Sequence, residues 1–322
     1  MLDDEFLYLV DYELNELREN LLLRIMGEYA EDYYEIIAQM PLWFCEGGFS
    51  DEINISKGKF ELYYKKCLQK REYSNIESTI TKTLNIFLEK HKHYTDEDYK
   101  DLFYRLYTYD NAFHEISFLQ NALYELHYTI NLIDNMYHTH ELSHNNENKT
   151  NKEICFIETL EQLQLRILIN SFFLTAGTML DYLSKIQKYF LHNYKKLTEL
   201  PSVKRVYWSN SVKIKDTLFD ENNILIKKIR TFRNEIAHEG GLYLNLRFYE
   251  SVCKNGKRIY SIKFPDFNEN GEISDIFHRH LFYSQSNDPL NVIREIYAEI
   301  QNLLKKTIDT LVDLDTIELK KY

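Results

Sequence analysis

The chain has 322 residues, enough to bury a substantial core without covalent staples. Its four cysteines (Cys45, Cys67, Cys155, Cys253) are scattered with no C-x-x-C pair. That spacing argues against a disulfide framework or a zinc ribbon and suits a reducing, cytoplasmic setting. The formal net charge of −11 is unevenly laid out. Residues 1–40 carry eleven acids against Arg18 and Arg24, a local net of −9, whereas residues 185–233 carry twelve Lys/Arg against four acids, a local net of +8. A basic stretch of that kind is either a solvated face or a local field that attracts a polyanion. No uninterrupted apolar run approaches ~18 residues, so no membrane span is expected. The acidic start, MLDDEFLYLVDYEL, lacks the positive charge of a secretion signal. With only 9 glycines and 4 prolines, the chain has few breakers and reads as long helices.

Residues 2–40 form one or two acidic amphipathic helices, with Leu7, Val10, Leu14, Leu17 and Leu21 at helical spacing. Pro41 and Gly47-Gly48 interrupt the pattern, which makes 41–58 a loop with a short extended piece. Helices resume at about 59–70 and 75–91, and His91-Lys92-His93 reads as a solvated helix end. Ser74 with Glu77, and Thr95 with Asp98, have capping-box spacing. The second pair opens a long helix at about 96–137, whose buried stripe is Phe103, Leu106, Phe113, Ile116, Leu123, Leu126, Ile130 and Ile133.

Residues 138–152, HTHELSHNNENKTNK, are polar and low in complexity and mark the expected boundary between a helical region at 1–150 and a second helical domain at 151–322. A helix from Glu153 to Tyr194 follows, with Leu160, Leu163, Ile167, Phe173, Leu180, Leu183 and Ile186 inward. A basic connector at 195–220 leads to an amphipathic helix at about 221–239, closed by Gly240-Gly241. Alternation at Leu242, Leu244, Leu246 and Phe248, and again at Tyr260, Ile262 and Phe264, flanks the turn Lys254-Asn255-Gly256-Lys257, so a β-hairpin is expected at about 242–265. A last helix spans about 289–319, with Ile293, Ile296, Ile300, Leu303 and Leu311 inward. The fold class is all-α with a small β-hairpin insertion.

Two motifs carry chemistry. The first is Arg233-Asn234-x-x-x-His238, in the stretch ILIKKIRTFRNEIAHEGG. Asn234 and His238 share a helix face, and Arg230 extends that stripe by one turn. Arg233 lies roughly 140° from His238 on an ideal helix, so its long side chain or a local distortion has to bring the guanidinium back. Ile229, Phe232 and Ile236 cover the opposite side. Arg230, Lys227 and Lys228 are candidate contacts for an RNA backbone. Asp181, on the helix before, is either a partner for a basic residue or a surface acid. The alternative for Arg233 and His238 is a surface arginine and a histidine that favours the helix dipole.

These residue types suit metal-independent RNA cleavage. Histidine is the side chain best matched to proton transfer near neutral pH, arginine forks onto phosphate oxygens, and asparagine orients either one. No cofactor is required. The second motif, His140-Glu141-Leu142-Ser143-His144, spells the H-E-x-x-H of zinc hydrolases, with Glu158 and Glu161 as further ligand candidates. It falls at a fraying helix end, whereas a catalytic zinc helix needs it packed mid-helix. It is kept as the weaker metal alternative at His140 and His144.

The stretch KKIRTFRNEIAHEG resembles the signature helix of the HEPN superfamily, and the order of helices around it, with LRILINSFFLTAGTMLDYLSKIQKYF before and a closing helix after, is similar to that family over roughly 153–319. The resemblance implies an endoribonuclease of toxin–antitoxin, abortive-infection or other antiviral defence systems. Arg233 and His238 would be its catalytic pair and Asn234 the supporting residue. It implies a homodimer with a composite active site, RNA as substrate, and an antitoxin or regulatory partner. Other members of the superfamily are non-catalytic modules that bind RNA, a nucleotide or a protein, which is the second functional expectation.

Overall fold

Scarce glycine and proline let helices run far. In the computed structural model these are α1 (Glu5–Met26), α2 (Asp96–His144), α3 (Leu160–Leu191), α4 (Ile224–His238) and α5 (Pro289–Val312). The structure describes residues 5–32, 86, 89–144, 154–156, 160–191, 201, 205–238, 247–252, 258–263, 265–268, 270–273, 275–276, 279–280 and 288–315, which are predominantly helical. The expected loop at 41–58, the helix at 59–70, most of that at 75–91, the Ser74/Glu77 pair, most of 195–204, the Gly240-Gly241 stop and the turn at 254–257 lie outside these residues.

Three strands, β1 (Ile154–Phe156), β2 (Arg247–Val252) and β3 (Arg258–Lys263), pair antiparallel in the order β1-β2-β3. Ile154 stands opposite Ser251, and Arg247 opposite Lys263. A two-residue pair, β4 (Asp275–Ile276) and β5 (Arg279–His280), forms a separate ribbon. The helix expected from Glu153 therefore begins only at Leu160, because Ile154-Cys155-Phe156 is taken up as a strand. α2 runs on past 137 and ends in the turn that holds His140–His144.

Internal packing divides the chain into two compact units. One comprises Asn15–Ile116 and Lys188–Val206. Its core holds Leu17, Leu21 and Met26 of α1 and Leu102, Leu106, Tyr109 and Ile116 of α2. Arg105 joins these helices: it pairs with Asp101 at 2.7 Å and its Nη1 donates to the Ile25 carbonyl at 3.2 Å. Thr95 and Asp98 exchange the two reciprocal bonds of a capping box, Thr95 N–H to Asp98 Oδ2 at 2.7 Å and Asp98 N–H to Thr95 Oγ1 at 3.3 Å. His91, expected to be solvated, is buried against the rings of Tyr29 and Tyr94. Phe113, expected inward, is 39% exposed.

The other unit comprises Met1–Leu14, Ser117–Gln187 and Tyr207–Tyr322. Its core draws on Val10 and Leu14, Leu123, Leu126 and Ile130 of α2, Phe172, Phe173 and Leu183 of α3, Ile229 and Phe232 of α4, and Ile293, Ile296 and Ile300 of α5. Two polar contacts stitch that core. His127 Nδ1 meets the Tyr297 hydroxyl at 2.6 Å, and Lys305 reaches the fully buried Glu13 at 2.7 Å. Burial also pushes the Tyr297 hydroxyl pKa up. On α3 the inward face is Leu165, Ile169, Phe172, Phe173, Ala176, Met179 and Leu180, whereas Leu160, Leu163 and Ile167 are exposed. The first turns of α3 are apolar on more than one side, so periodicity alone chose the wrong stripe there. For the same reason Leu163–Leu191 is long and apolar enough to cross a membrane, at a mean hydropathy of 1.3, although no uninterrupted apolar run marks it; 44% of its most apolar window is buried inside the protein.

α4, which carries the candidate residues, is set at its start by Asn223. The Asn223 Oδ1 accepts from the N–H groups of Leu225 (2.9 Å) and Ile226 (3.3 Å), and its Nδ2 donates to Glu299 of α5 at 2.6 Å. One side chain thus caps α4 and ties it to α5. Asn223→Ala should destabilise the protein by about 1–2 kcal/mol, the usual cost of a lost cap with an added tertiary bond. Chemical denaturation of the two proteins measures this, and an unchanged midpoint would mean that α4 is held by its apolar face alone.

Candidate functional site

α4 presents two faces because its apolar residues recur every three or four positions. Ile226, Ile229 and Phe232 are buried, and Phe232 packs against Phe173 of α3 at 4.8 Å between ring centroids. Arg230, Arg233 and Asn234 project from the other side and line a cleft of about 150 Å³ together with Gly177, Leu180 and Asp181 of α3 and Tyr207, Trp208 and Ser209 of the connector. Two arginines, an asparagine, an aspartate and two aromatic residues therefore line one small concavity.

Arg233 crosses α3 at Gly177. A Cβ built on Gly177 would stand 2.6 Å from Arg233 Cγ and 3.1 Å from Arg233 Cβ, closer than atoms pack, so the absence of a side chain there is what lets the arginine lie across the helix. Its guanidinium then faces Asp181, with Nη2 3.6 Å from Asp181 Oδ2, and its Nη1 donates to Asn234 Oδ1 at 3.1 Å. The 3.6 Å separation is an ion pair without a well-formed hydrogen bond. The other carboxylate oxygen, Oδ1, accepts the Trp208 N–H at 2.9 Å.

The connector is built rather than loose where it meets this cleft. The Gln187 amide brackets Val212, accepting its N–H at 2.7 Å and donating to its carbonyl at 3.0 Å. Trp208 is buried, and its Nε1 donates to the Leu218 carbonyl at 2.8 Å. Two cations lie against its ring, Lys213 Nζ at 3.3 Å and the Arg230 guanidinium carbon at 4.6 Å from the ring centroid. Part of the positive charge that the sequence concentrates here is thus used internally.

The expected site residues separate into three groups. Arg233, Asn234 and Arg230 are brought together in the cleft. His238, the last residue of α4, is exposed and is not part of the lining among the described residues. α4 stays regular to its end, so the roughly 140° between positions 233 and 238 is not closed within one chain. Lys227 is half-buried outside the lining. Lys228 corrects the sequence expectation of an RNA contact. It is buried, with its ammonium 4.1 Å from the Phe267 ring centroid, and burial lowers its pKa. Its position on α4 falls with the apolar face, and its long stem suits that face.

The backbone of His140 and His144 lies in the last turn of α2, but their side chains, and Glu158, are outside the described residues. Among the described residues no cluster of three His, Cys, Asp or Glu could hold a metal ion. Gly177, Tyr207 and Trp208 were not singled out as site residues from sequence. A lone glycine in a helix interior marks a close approach and was the one available signal.

None of the known protein families, curated proteins or solved structures compared with the chain matches it.

Burial raises the pKa of Asp181 above its ordinary value; the Trp208 N–H and the charges of Arg233, Lys185 and Arg230 oppose that shift without cancelling it. The folded protein therefore keeps a proton that the unfolded chain releases near pH ~4. Stability falls as pH rises through the window between the unfolded and folded pKa values. Asp181→Asn should flatten that part of the stability–pH curve, and Arg233→Ala should push the Asp181 pKa higher still. Carboxyl NMR titration checks both, and an Asp181 that titrates at or below ~4 would contradict them. Gly177→Ala should cost roughly 1 kcal/mol net, because overpacking against Arg233 outweighs the helix-propensity gain of alanine; a stabilised variant in a thermal melt would show that Arg233 moves aside freely.

Proposed function

We propose that this protein is an endoribonuclease of the HEPN type, acting in bacterial antiviral defence or as a toxin. The observation that supports this reading is the convergence of Arg230, Arg233 and Asn234 in one cleft beside exposed Tyr207. Two guanidinium groups and an amide in a small concavity suit a phosphodiester, since arginine donates to two oxygens at once and stabilises charge that builds on them. Only a weakly bonded carboxylate partner has to be exchanged for that phosphate at Arg233.

In the proposed reaction the ribose 2′-hydroxyl attacks the adjacent phosphorus. A 2′-O–P bond forms and the P–5′-O bond breaks, which gives a 2′,3′-cyclic phosphate and a 5′-hydroxyl. His238 takes the 2′ proton or delivers one to the 5′ oxygen. Arg233 holds the phosphate oxygens and Asn234 orients Arg233 through its 3.1 Å bond. Arg233 and His238 diverge on one helix, so the proposal includes a homodimer in which two signature helices supply both groups to one phosphodiester, as the resemblance implies.

A second reading is favoured by one specific contact. Arg233 faces Asp181 and Asn234 within its own chain, which is also what a structural arginine does in a non-catalytic HEPN module that binds RNA or a protein. Cleavage of a mixed RNA pool in EDTA separates the two. Wild type should cleave and leave cyclic phosphate ends, and His238→Ala should lose about two to four orders of magnitude in rate, the usual worth of a general acid–base group. Binding without cleavage at any protein concentration supports the module instead. Cleavage that survives both His238→Ala and Arg233→Ala would overturn the catalytic assignment.

A further inference from the structure

We infer that Tyr207 is a base-stacking platform, and that the cleft takes single-stranded RNA by holding a phosphate on Arg230 and Arg233 while one unstacked base lies on the tyrosine ring. This deepens the proposed function and rests on its reading of the cleft. Two aromatic residues line the cleft, and their surroundings separate them. Trp208 is 3% exposed, and Lys213 and Arg230 already lie against its ring, so it has no face to offer. Tyr207 also lines the cleft and is 43% exposed.

The peptide that joins it to Trp208 is held at both its carbonyl and its N–H. The Tyr207 carbonyl accepts the Asn210 N–H at 2.9 Å, and the N–H of the next residue is anchored on Asp181. The residue itself is extended, at φ −116° and ψ 158°, immediately before the short helical turn Trp208–Asn210. A ring carried on a pinned backbone loses little entropy when a base stacks on it. Aromatic stacking beside cationic groups is the chemistry by which proteins hold unpaired nucleotides, because every base has a π face. A duplex keeps its bases stacked on one another and cannot use such a platform. Tyrosine here thus selects unpaired strand, and it leaves base identity open.

The test uses the full chain and two labelled, uncleavable oligomers of equal length, a 2′-O-methyl oligouridine and the corresponding abasic 2′-O-methyl ribose–phosphate strand, titrated by fluorescence anisotropy. Tyr207→Ala should weaken oligouridine binding at least fivefold, about the lower end of what one stacked base contributes. It should leave abasic-strand binding unchanged, and Tyr207→Phe should behave as wild type. Arg230→Ala should weaken both oligomers. Equal binding of oligouridine by wild type and Tyr207→Ala, with Arg230→Ala impaired, would overturn the platform and leave the phosphate grip standing. An equal loss on both oligomers in Tyr207→Ala would overturn it too, because the ring would then be acting through the shape of the cleft. If wild type binds neither oligomer, the RNA reading of the cleft falls and the platform with it.

Discussion

One carboxylate, Asp181, fixes the relation of three segments that are far apart in sequence. It sits on α3, receives the backbone N–H of Trp208 from the connector, and faces the guanidinium of Arg233 on α4. Each of its oxygens serves a different neighbour. Removing it from water disfavours its charge, and the two partners recover only part of that cost. A hydrophobic residue in its place would be easier to bury, so the contact is better understood as setting geometry than as adding net stability. What it sets is the cleft: without the Trp208 anchor the connector loses its register against α3, and without Arg233 the floor loses its charge.

Gly177 makes that arrangement possible, and it does so against local preference. Glycine in a helix interior costs about 0.5–1 kcal/mol relative to alanine. It is tolerated here because Arg233 occupies the space a methyl group would fill. The same trade appears at Lys228 and Trp208. Lys228 gives up solvation to cover Phe267, and Trp208 is held by cations on its ring and by the Leu218 carbonyl on its indole N–H. Each is a polar or charged group drawn inward by a specific partner. Within the basic stretch at 185–233, Lys213 and Lys228 thus serve internal contacts, while Arg230 and Arg233 line the cleft.

The cleft and His238 pose a geometric question that a single chain leaves open by construction. A five-residue spacing on a regular helix points the two side chains in different directions. A site that uses both needs a second helix to supply the missing half. The exposed end of α4, with His238 accessible and the apolar side of the helix buried, is compatible with that arrangement.

The sequence by itself determined the predominantly helical class, the existence and order of the long helices, most of the inward stripes of α1 and α5, and the capping box at Thr95 and Asp98. These follow from local signals: periodicity, breakers and caps act over a single turn or a few. It also singled out Arg230, Arg233 and Asn234, together with His238, as candidate site residues on one amphipathic helix; the structure places the first three in the cleft lining. Only the tertiary structure decided which face of the first turns of α3 is inward, that Ile154–Phe156 is a strand, and that Lys228 and His91 are buried. For the last three the deciding partner lies outside the local pattern: Ser251 opposite Ile154, Phe267 under Lys228, Tyr29 against His91. The cleft itself belongs to this second class. Asp181 and Arg233 are separated by fifty-two positions, Gly177 is informative only once Arg233 lies across it, and Tyr207 becomes a candidate ligand contact only when Trp208 is seen to be covered. A pattern along one helix can state which side chains are available; which of them converge depends on the segments that long-range packing brings alongside.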